Sequence, residues 1–375
     1  DLFINNYPKH KIQVRYLSLI LFALLSLSCD LQKPLNQARV ELGGIDLEAY
    51  AYDSGDVVYD AYLDRYGNIW FTTSQEGVYK YDGQVFTNYR VEDGLCGNEV
   101  SSIIEGADGT FWFGTDKGLC QFDGKEFTTI PLPYYPKESE WLDKYYPMIN
   151  PEAATKILQD KRGNFWVGSN CAGLYRYDGH VYESYLQERG NLMPDSMQHN
   201  NISAIVEDRN GHIWIGSFSH GGISEFDGTD FVHHSLHDGV GDGMISSIYI
   251  DRQGRMWVGT RNGGIYQYDG RSFINIPENE GEGGIAMAKF FQDSKGTLWM
   301  SSYARGGVYQ FDGSTFTPFE CMHSDQLVDV MCMAEDKDGH IWFGGRYGLL
   351  WRYDGEELSD FTQLKRGDNI NNIGQ

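Results

Sequence analysis

The chain has 375 residues, with 53 acidic against 30 basic side chains and a formal net charge of -23 at pH 7. That balance excludes a nucleic-acid partner, because a phosphate backbone demands a basic footprint on the protein. Length alone would allow two or three domains, but internal periodicity makes most of the chain one.

Residues 1–29 read as an export signal: Lys9, Lys11 and Arg15 precede the apolar run YLSLILFALLSLS, which ends at Cys29. A charged segment followed by a short hydrophobic one is the order of a secretory leader, and the run is shorter than the about 20 residues a membrane span needs. SLSC at residues 26–29 resembles a loose bacterial lipobox. On that reading Cys29 carries lipid and becomes the mature N-terminus, and its acyl chains are the only membrane contact. Ser26 stands where the strict pattern wants a larger apolar residue, so simple cleavage and an uncleaved anchor stay open. The expected address is the bacterial cell envelope, lipid-anchored in the periplasm or at the outer membrane. Residues 30–55 form a linker, of which 44–55 are a candidate strand to latch the repeats that begin at residue 56.

From residue 56 to 364 one pattern recurs seven times, marked by Trp70, Trp112, Trp166, Trp214, Trp257, Trp299 and Trp342. A glycine stands three residues before each tryptophan, and an aspartate stands six before it in every unit but the second, which has Gly106. Further on comes an aromatic followed by Asp-Gly, from Tyr81-Asp82-Gly83 to Tyr353-Asp354-Gly355. Asp-Gly between alternating apolar runs predicts a two-residue type I′ hairpin, with positive φ at both positions. The upstream Asp-x-x-Gly predicts a second reverse turn. Each unit is then a four-stranded antiparallel meander. Such a sheet cannot bury both faces alone, and repeats of this length solve the problem by closing into a ring. The expected fold is therefore all-β: a seven-bladed β-propeller, with the tryptophans and the aromatics before Asp-Gly filling the wedges between blades, followed by a short polar tail at 365–375.

The segment EDGLCGNEVSSIIEGADGTFWFGTDKGLCQFDGKEFTTI, residues 92–130, closely resembles the two-component-regulator propeller repeat. The resemblance implies a periplasmic, ligand-sensing propeller of the kind that precedes a sensor kinase, often for oligosaccharides. After Phe361 only TQLKRGDNINNIGQ remains, so a free-standing binding module and a fragment of a longer sensor both fit.

Tight turns occupy one face of such a ring, and their aspartates read as scaffold rather than as a calcium site. The opposite face carries the longer loops, where recognition usually sits. Three successive units place an arginine there, Arg261, Arg305 and Arg346, and a guanidinium pairs with carboxylate or sulfate through two parallel bonds. The insertion at residues 131–154 adds Tyr134, Tyr135 and Trp141, flat platforms for a sugar ring. His220 joins this candidate site, and His233, His234 and His237 are assigned to a neighbouring linker on the same face. The expected ligand is an oligosaccharide, preferably acidic, or another small anion. The alternatives are a scaffold for an envelope protein partner and, with His220 as general base, a propeller lyase.

No nucleophile elbow, phosphate loop or His-Glu-x-x-His pattern appears, so no catalytic residue, cofactor or metal is assigned. Beyond Cys29 the cysteines are Cys96, Cys120, Cys171, Cys321 and Cys332. An odd number leaves at least one unpaired within the chain, and the expectation is that they serve as small buried hydrophobes.

Overall fold

The computed structural model describes residues 56–133, 150, 152–170, 172–185, 201–218, 222–234, 244–261, 263–276, 288–302 and 306–362. The leader with Cys29, the linker with its candidate latch at 44–55, and the tail at 365–375 lie outside the described residues.

Seven antiparallel sheets follow one another, each of four strands consecutive in the chain. The first strands of the sheets are Val58–Leu63, Val100–Glu105, Ala154–Gln159, Ile202–Glu207, Ile245–Ile250, Lys289–Gln292 and Val330–Glu335. Each touches the first strand of the next sheet, and the seventh touches the first. The protein is a seven-bladed β-propeller whose first strands surround the axis. Every blade is complete with its own four strands. At the junction of blades 7 and 1, Val57 forms a single antiparallel bridge to Arg346.

The recurring aspartate and tryptophan turn out to be one device. In blade 1 the Asp64 carboxylate accepts from the backbone N–H groups of Tyr66 and Asn68 at 2.9 and 2.8 Å, which builds the turn. Its second oxygen accepts from the Trp70 indole Nε1 at 2.9 Å. The same indole bond is made by Asp160, Asp208, Asp251, Asp293 and Asp336. In blade 2, where Gly106 replaces the aspartate, the Thr110 hydroxyl accepts from Trp112 instead, at 3.0 Å. A buried indole N–H needs a partner, and the turn supplies it.

Held in this way, each tryptophan packs against the aromatic before Asp-Gly in the following blade, as expected. Ring centroids lie 5.4 Å apart for Trp166 and Phe226, 5.1 Å for Trp214 and Tyr268, and 4.9 Å for Trp257 and Phe311. The last contact closes the circle, with Trp342 of blade 7 at 5.4 Å from Tyr81 of blade 1. Two positions after the tryptophan, Gly168, Gly216 and Gly344 let the next blade approach. A Cβ on any of them would come within 2.6 Å of Ile202, Ile245 or Val58.

Polar side chains near the axis tie neighbouring first strands together. Thr155 Oγ1 donates to the Ile202 carbonyl at 2.9 Å, Ser203 Oγ to Ile245 at 2.6 Å, and the Ile103 N–H donates to Asp60 at 3.4 Å.

The Asp-Gly turns differ from the two-residue type predicted. Strands pair up to Tyr81 and Phe86, and the Asp82 N–H donates on to the Val85 carbonyl at 3.4 Å, so Gly83 and Gln84, not Asp82 and Gly83, stand at the centre of the turn. Gly83 takes φ 100° while Asp82 stays out of the left-handed region. The aspartate acts through its side chain, accepting from the N–H groups of Gln84 and Val85 at 2.8 and 2.9 Å. The same pair of backbone donors holds the carboxyls of Asp82, Asp123, Asp178, Asp227, Asp269, Asp312 and Asp354 below the usual range. A depressed folded-state pKa stabilises the native form above the unfolded value, and the effect is lost as pH falls through the folded value. The melting temperature should therefore change little through these groups from pH 7 to 5 and drop below about pH 4. Replacing several of these aspartates by asparagine should flatten the acid limb of a thermal-melt series.

The cysteines need a correction. Cys96 and Cys120 form a disulfide across 24 positions of sequence, so two of the five are not isolated hydrophobes. Cys332 is buried in the core as expected, Cys321 is half-buried, and Cys171 lies outside the described residues. Spacing does not reveal the pair, because the two residues meet only when the segment before blade 2 folds over its third strand.

Candidate ligand-binding site on the propeller axis

Counting ten residues back from each tryptophan gives the same structural position in every blade: Asp60, Ser102, Lys156, Ala204, Ser247, Lys289 and Cys332. Strand register confirms the equivalence, since these residues pair with Thr72, Gly114, Gly168, Gly216, Gly259, Ser301 and Gly344. Where strands converge on an axis, small side chains fit best, and four blades comply. Blades 1, 3 and 6 instead place a carboxylate and two ammonium groups there.

Asp60, Lys156 and Lys289 line a cavity of about 230 Å³ on the axis, together with Tyr59, Ser203, Ser247 and Tyr249. Lys289 Nζ donates to the Ser246 carbonyl at 2.7 Å. Among the described residues Asp60 accepts only from the backbone N–H groups of Ala61 and Ile103. Burial pushes the Asp60 carboxyl up, while the charges of Lys156 and Lys289 act against that shift. Burial, reinforced by the Lys156 charge, lowers Lys289 to about 7, with Asp60 and Cys332 opposing. Two cations and one anion thus share a half-buried cavity that is partly open to solvent, with one positive charge in excess when all are ionised. Charges taken from water cost stability unless well paired, and here Asp60 and Lys289 are each also bonded to the first strand of a neighbouring blade.

The position falls at the start of the first strands, the end that emerges from the long connections between blades. Among the described residues the rim there carries the acids Glu99, Asp116 and Asp329. Burial raises the Glu99 carboxyl and Asp116 raises it further. Burial also raises Asp329 and Tyr59, and the Arg346 guanidinium counters both shifts.

Two of the arginines expected at a shared mouth are described, and they have different surroundings. Arg346 bridges Val57 through its backbone and acts electrostatically on Asp329 and Tyr59. Arg261 lies over the Phe218 ring, 5.7 Å from its centroid, with Nη1 3.5 Å from Met244 Sδ. Arg305, His220, Tyr134, Tyr135, Trp141 and His237 lie outside the described residues. His233 and His234, expected in a linker, are in the last strand of blade 4, Phe231–His234. There His233 Nδ1 meets Ser224 Oγ at 2.8 Å. A search confined to loops misses the axial lysines. Aligning the seven units on their tryptophans exposes them.

The two component regulator propeller family model matches residues 94–117, 196–219, 239–262 and 326–347. Four of the seven blades therefore carry segments similar to the two component regulator propeller repeat. The four matches fall in blades 2, 4, 5 and 7, each running from the connection before the blade into the turn after its second strand. Histidine kinase P4 of Formosa agariphila is 29% identical over 94 residues, which is 24% of this chain and 6% of that protein. The extracellular domain of a hybrid two component system from B. thetaiotaomicron superimposes with TM-score 0.60 at 20% identity, over 80% of this chain and 39% of that one. Virginiamycin B lyase of Staphylococcus aureus gives TM-score 0.53 at 14% identity, over 70% and 83% of the two chains. PorZ, a surface component of the type-IX secretion system of Porphyromonas gingivalis, gives 0.57 at 18%, over 82% and 46%. These structural likenesses are likenesses of fold. The match spans about two fifths of the sensor domain and a small part of the kinase.

Proposed function

We propose that this two component regulator propeller is an exported binding module, of the sensor type, that takes an oligosaccharide carrying an acidic group at its long-loop face. The acidic unit enters the axial cavity, and the protein is held at the envelope through Cys29. One observation carries this reading: Lys156 and Lys289 occupy positions that four other blades give to small residues, in a cavity also lined by Tyr59, Tyr249, Ser203 and Ser247. A pocket with a few convergent polar groups and a perturbed titratable residue is the default binding site. The Cys96–Cys120 disulfide supports export, since such bonds persist in oxidising compartments. Arg346 and Arg261 on the described loops, with Arg305, His220, Tyr134, Tyr135 and Trp141, extend the proposed site outward from the cavity.

A thermal-shift series on the chain from Asp30 tests the proposal with neutral and acidic oligosaccharides at two salt concentrations. Ligand at about 100 times its Kd should add roughly 2.7 kcal/mol of stability, for acidic sugars only. The stabilisation should fade with salt and disappear in Lys156→Met and Lys289→Met. Affinity should fall as pH rises through 7, because Lys289 then loses its charge. Without ligand, Lys289→Met should melt higher than the parent, since it removes the excess buried charge and leaves Asp60 with Lys156. A flat response to every sugar would point instead to a scaffold for an envelope protein.

A further inference from the structure

Each blade places one residue directly across from its tryptophan on the neighbouring strand. In six blades that residue is cationic or neutral: Lys80, Gln121, Arg176, Gln267, Gln310 and Arg352. A cation suits the negative face of an indole, and Lys80 and Arg352 lie 5.5 and 5.8 Å from the centroids of Trp70 and Trp342. Blade 4 alone has an acid there, Glu225 opposite Trp214.

A second departure occurs in the same blade. Where Tyr89, Tyr185, Phe319 and Phe361 pack on the tryptophans of their own blades, blade 4 has His234, stacked on Trp214 at 5.4 Å and 16°. Its Nε2 is buried and lacks a hydrogen-bond partner among the described residues. It lies 3.5 Å from Glu225 Oε2. His212 Nδ1 meets the other oxygen of the same carboxylate at 2.6 Å. Asp208, His212 and Glu225 each offer a ligand atom within 4.8 Å of the other two, and His234 adjoins that trio through Glu225. The bond from Asp208 to the Trp214 indole is 3.3 Å long, against 2.8 to 2.9 Å in the other five blades that have this aspartate.

We propose that Asp208, His212, Glu225 and His234 form a zinc-binding site on the outer part of blade 4. Two imidazole nitrogens and two carboxylate oxygens are a donor set that zinc takes, at about 2.0 to 2.2 Å from the ion. A metal there gives the buried His234 Nε2 the partner it lacks, where leaving such a group unsatisfied is costly. It also accounts for an acid facing an indole. The ion takes the place of the contact between His212 and Glu225, so each keeps a partner. Because Trp214 and His234 both pack on Tyr268 of blade 5, at 5.1 and 6.0 Å, the bound ion stiffens the wedge between blades 4 and 5. This site is independent of the axial cavity and of any sugar.

The test is titration of the EDTA-stripped full chain with zinc chloride by calorimetry, alongside a thermal shift and the visible spectrum of the cobalt-substituted protein. The expected result is a saturable site of one ion per chain, a raised melting temperature with zinc and a tetrahedral cobalt spectrum. His234→Phe restores the aromatic other blades use, and Glu225→Gln restores the residue of blades 2, 5 and 6, so both should fold. Each should weaken zinc by about 100-fold or more, as loss of a directly ligating group must exceed the 10 to 100-fold of an outer-shell change. Asp338→Ala, in the Asp336, Asp338 and His340 group of blade 7, should leave binding unchanged. Absence of saturable heat overturns the proposal. So does zinc binding that survives both blade 4 substitutions, which would locate the ion elsewhere.

Discussion

Trp342→Ala is expected to destabilise the propeller by about 3 to 5 kcal/mol, the range for deleting a fully buried tryptophan, and to lower the melting temperature by on the order of 10 °C. The side chain is completely buried. It packs on Phe71 and Tyr81 of blade 1 and on Phe361, with centroids 5.3, 5.4 and 4.8 Å away. It also occupies the one wedge whose two blades are the ends of the ring rather than neighbours in sequence. Cavity formation there weakens closure itself, whereas Trp166→Ala leaves two blades still joined by their connecting chain. Urea unfolding of the two variants, read by near-UV circular dichroism, separates these effects. Trp342→Ala should lose at least as much stability as Trp166→Ala and unfold less cooperatively. If it loses less than about 1 kcal/mol, the ring is being closed by something other than this wedge.

Reducing the disulfide, or replacing Cys96 by Ala, should cost about 2 to 4 kcal/mol. The bond closes a loop of 24 positions, long enough for the entropy it removes from the unfolded chain to matter. It pins the segment before blade 2, where Leu95 is buried, against the third strand of that blade, Gly118–Phe122. Melting with and without dithiothreitol measures the effect, and mass spectrometry of the unreduced protein should show one bond within the chain. A protein that melts identically under both conditions would remove the structural support for an oxidising compartment.

Much of this architecture is legible in the residues because repetition multiplies a weak signal. A lone Asp-x-x-Gly before a tryptophan is a common turn, but six of them in phase with seven tryptophans leave one arrangement that buries every indole. The physical reason for the spacing is not legible. That Asp64 accepts from Trp70 Nε1, and that Thr110 takes over this role in blade 2, depends on how the turn folds back over the strand. The Asp-Gly loop departs from expectation for a related reason. Residue preference points to type I′ geometry, while the aspartate instead satisfies two backbone donors from outside the left-handed region.

Function is harder to read, because the residues that matter are exceptions to the repeat rather than members of it. Lys156 and Lys289 belong to first strands separated by more than a hundred residues, and nothing local distinguishes a lysine facing an axis from one facing water. Glu225 and His234 are ordinary strand residues until their counterparts in six other blades are set beside them. The sequence by itself determined the number of blades, the phase of their strands and the aromatic filling of the wedges, since these depend on short-range spacing and on the need to bury a repeated apolar face. Only the tertiary structure decided which side chains share the axis, which cysteines meet and which imidazoles gather around Glu225. The axial lysines stand more than a hundred positions apart and share a cavity only once the ring has closed, while the disulfide and the imidazole contacts depend on how a single blade and its flanking segment fold.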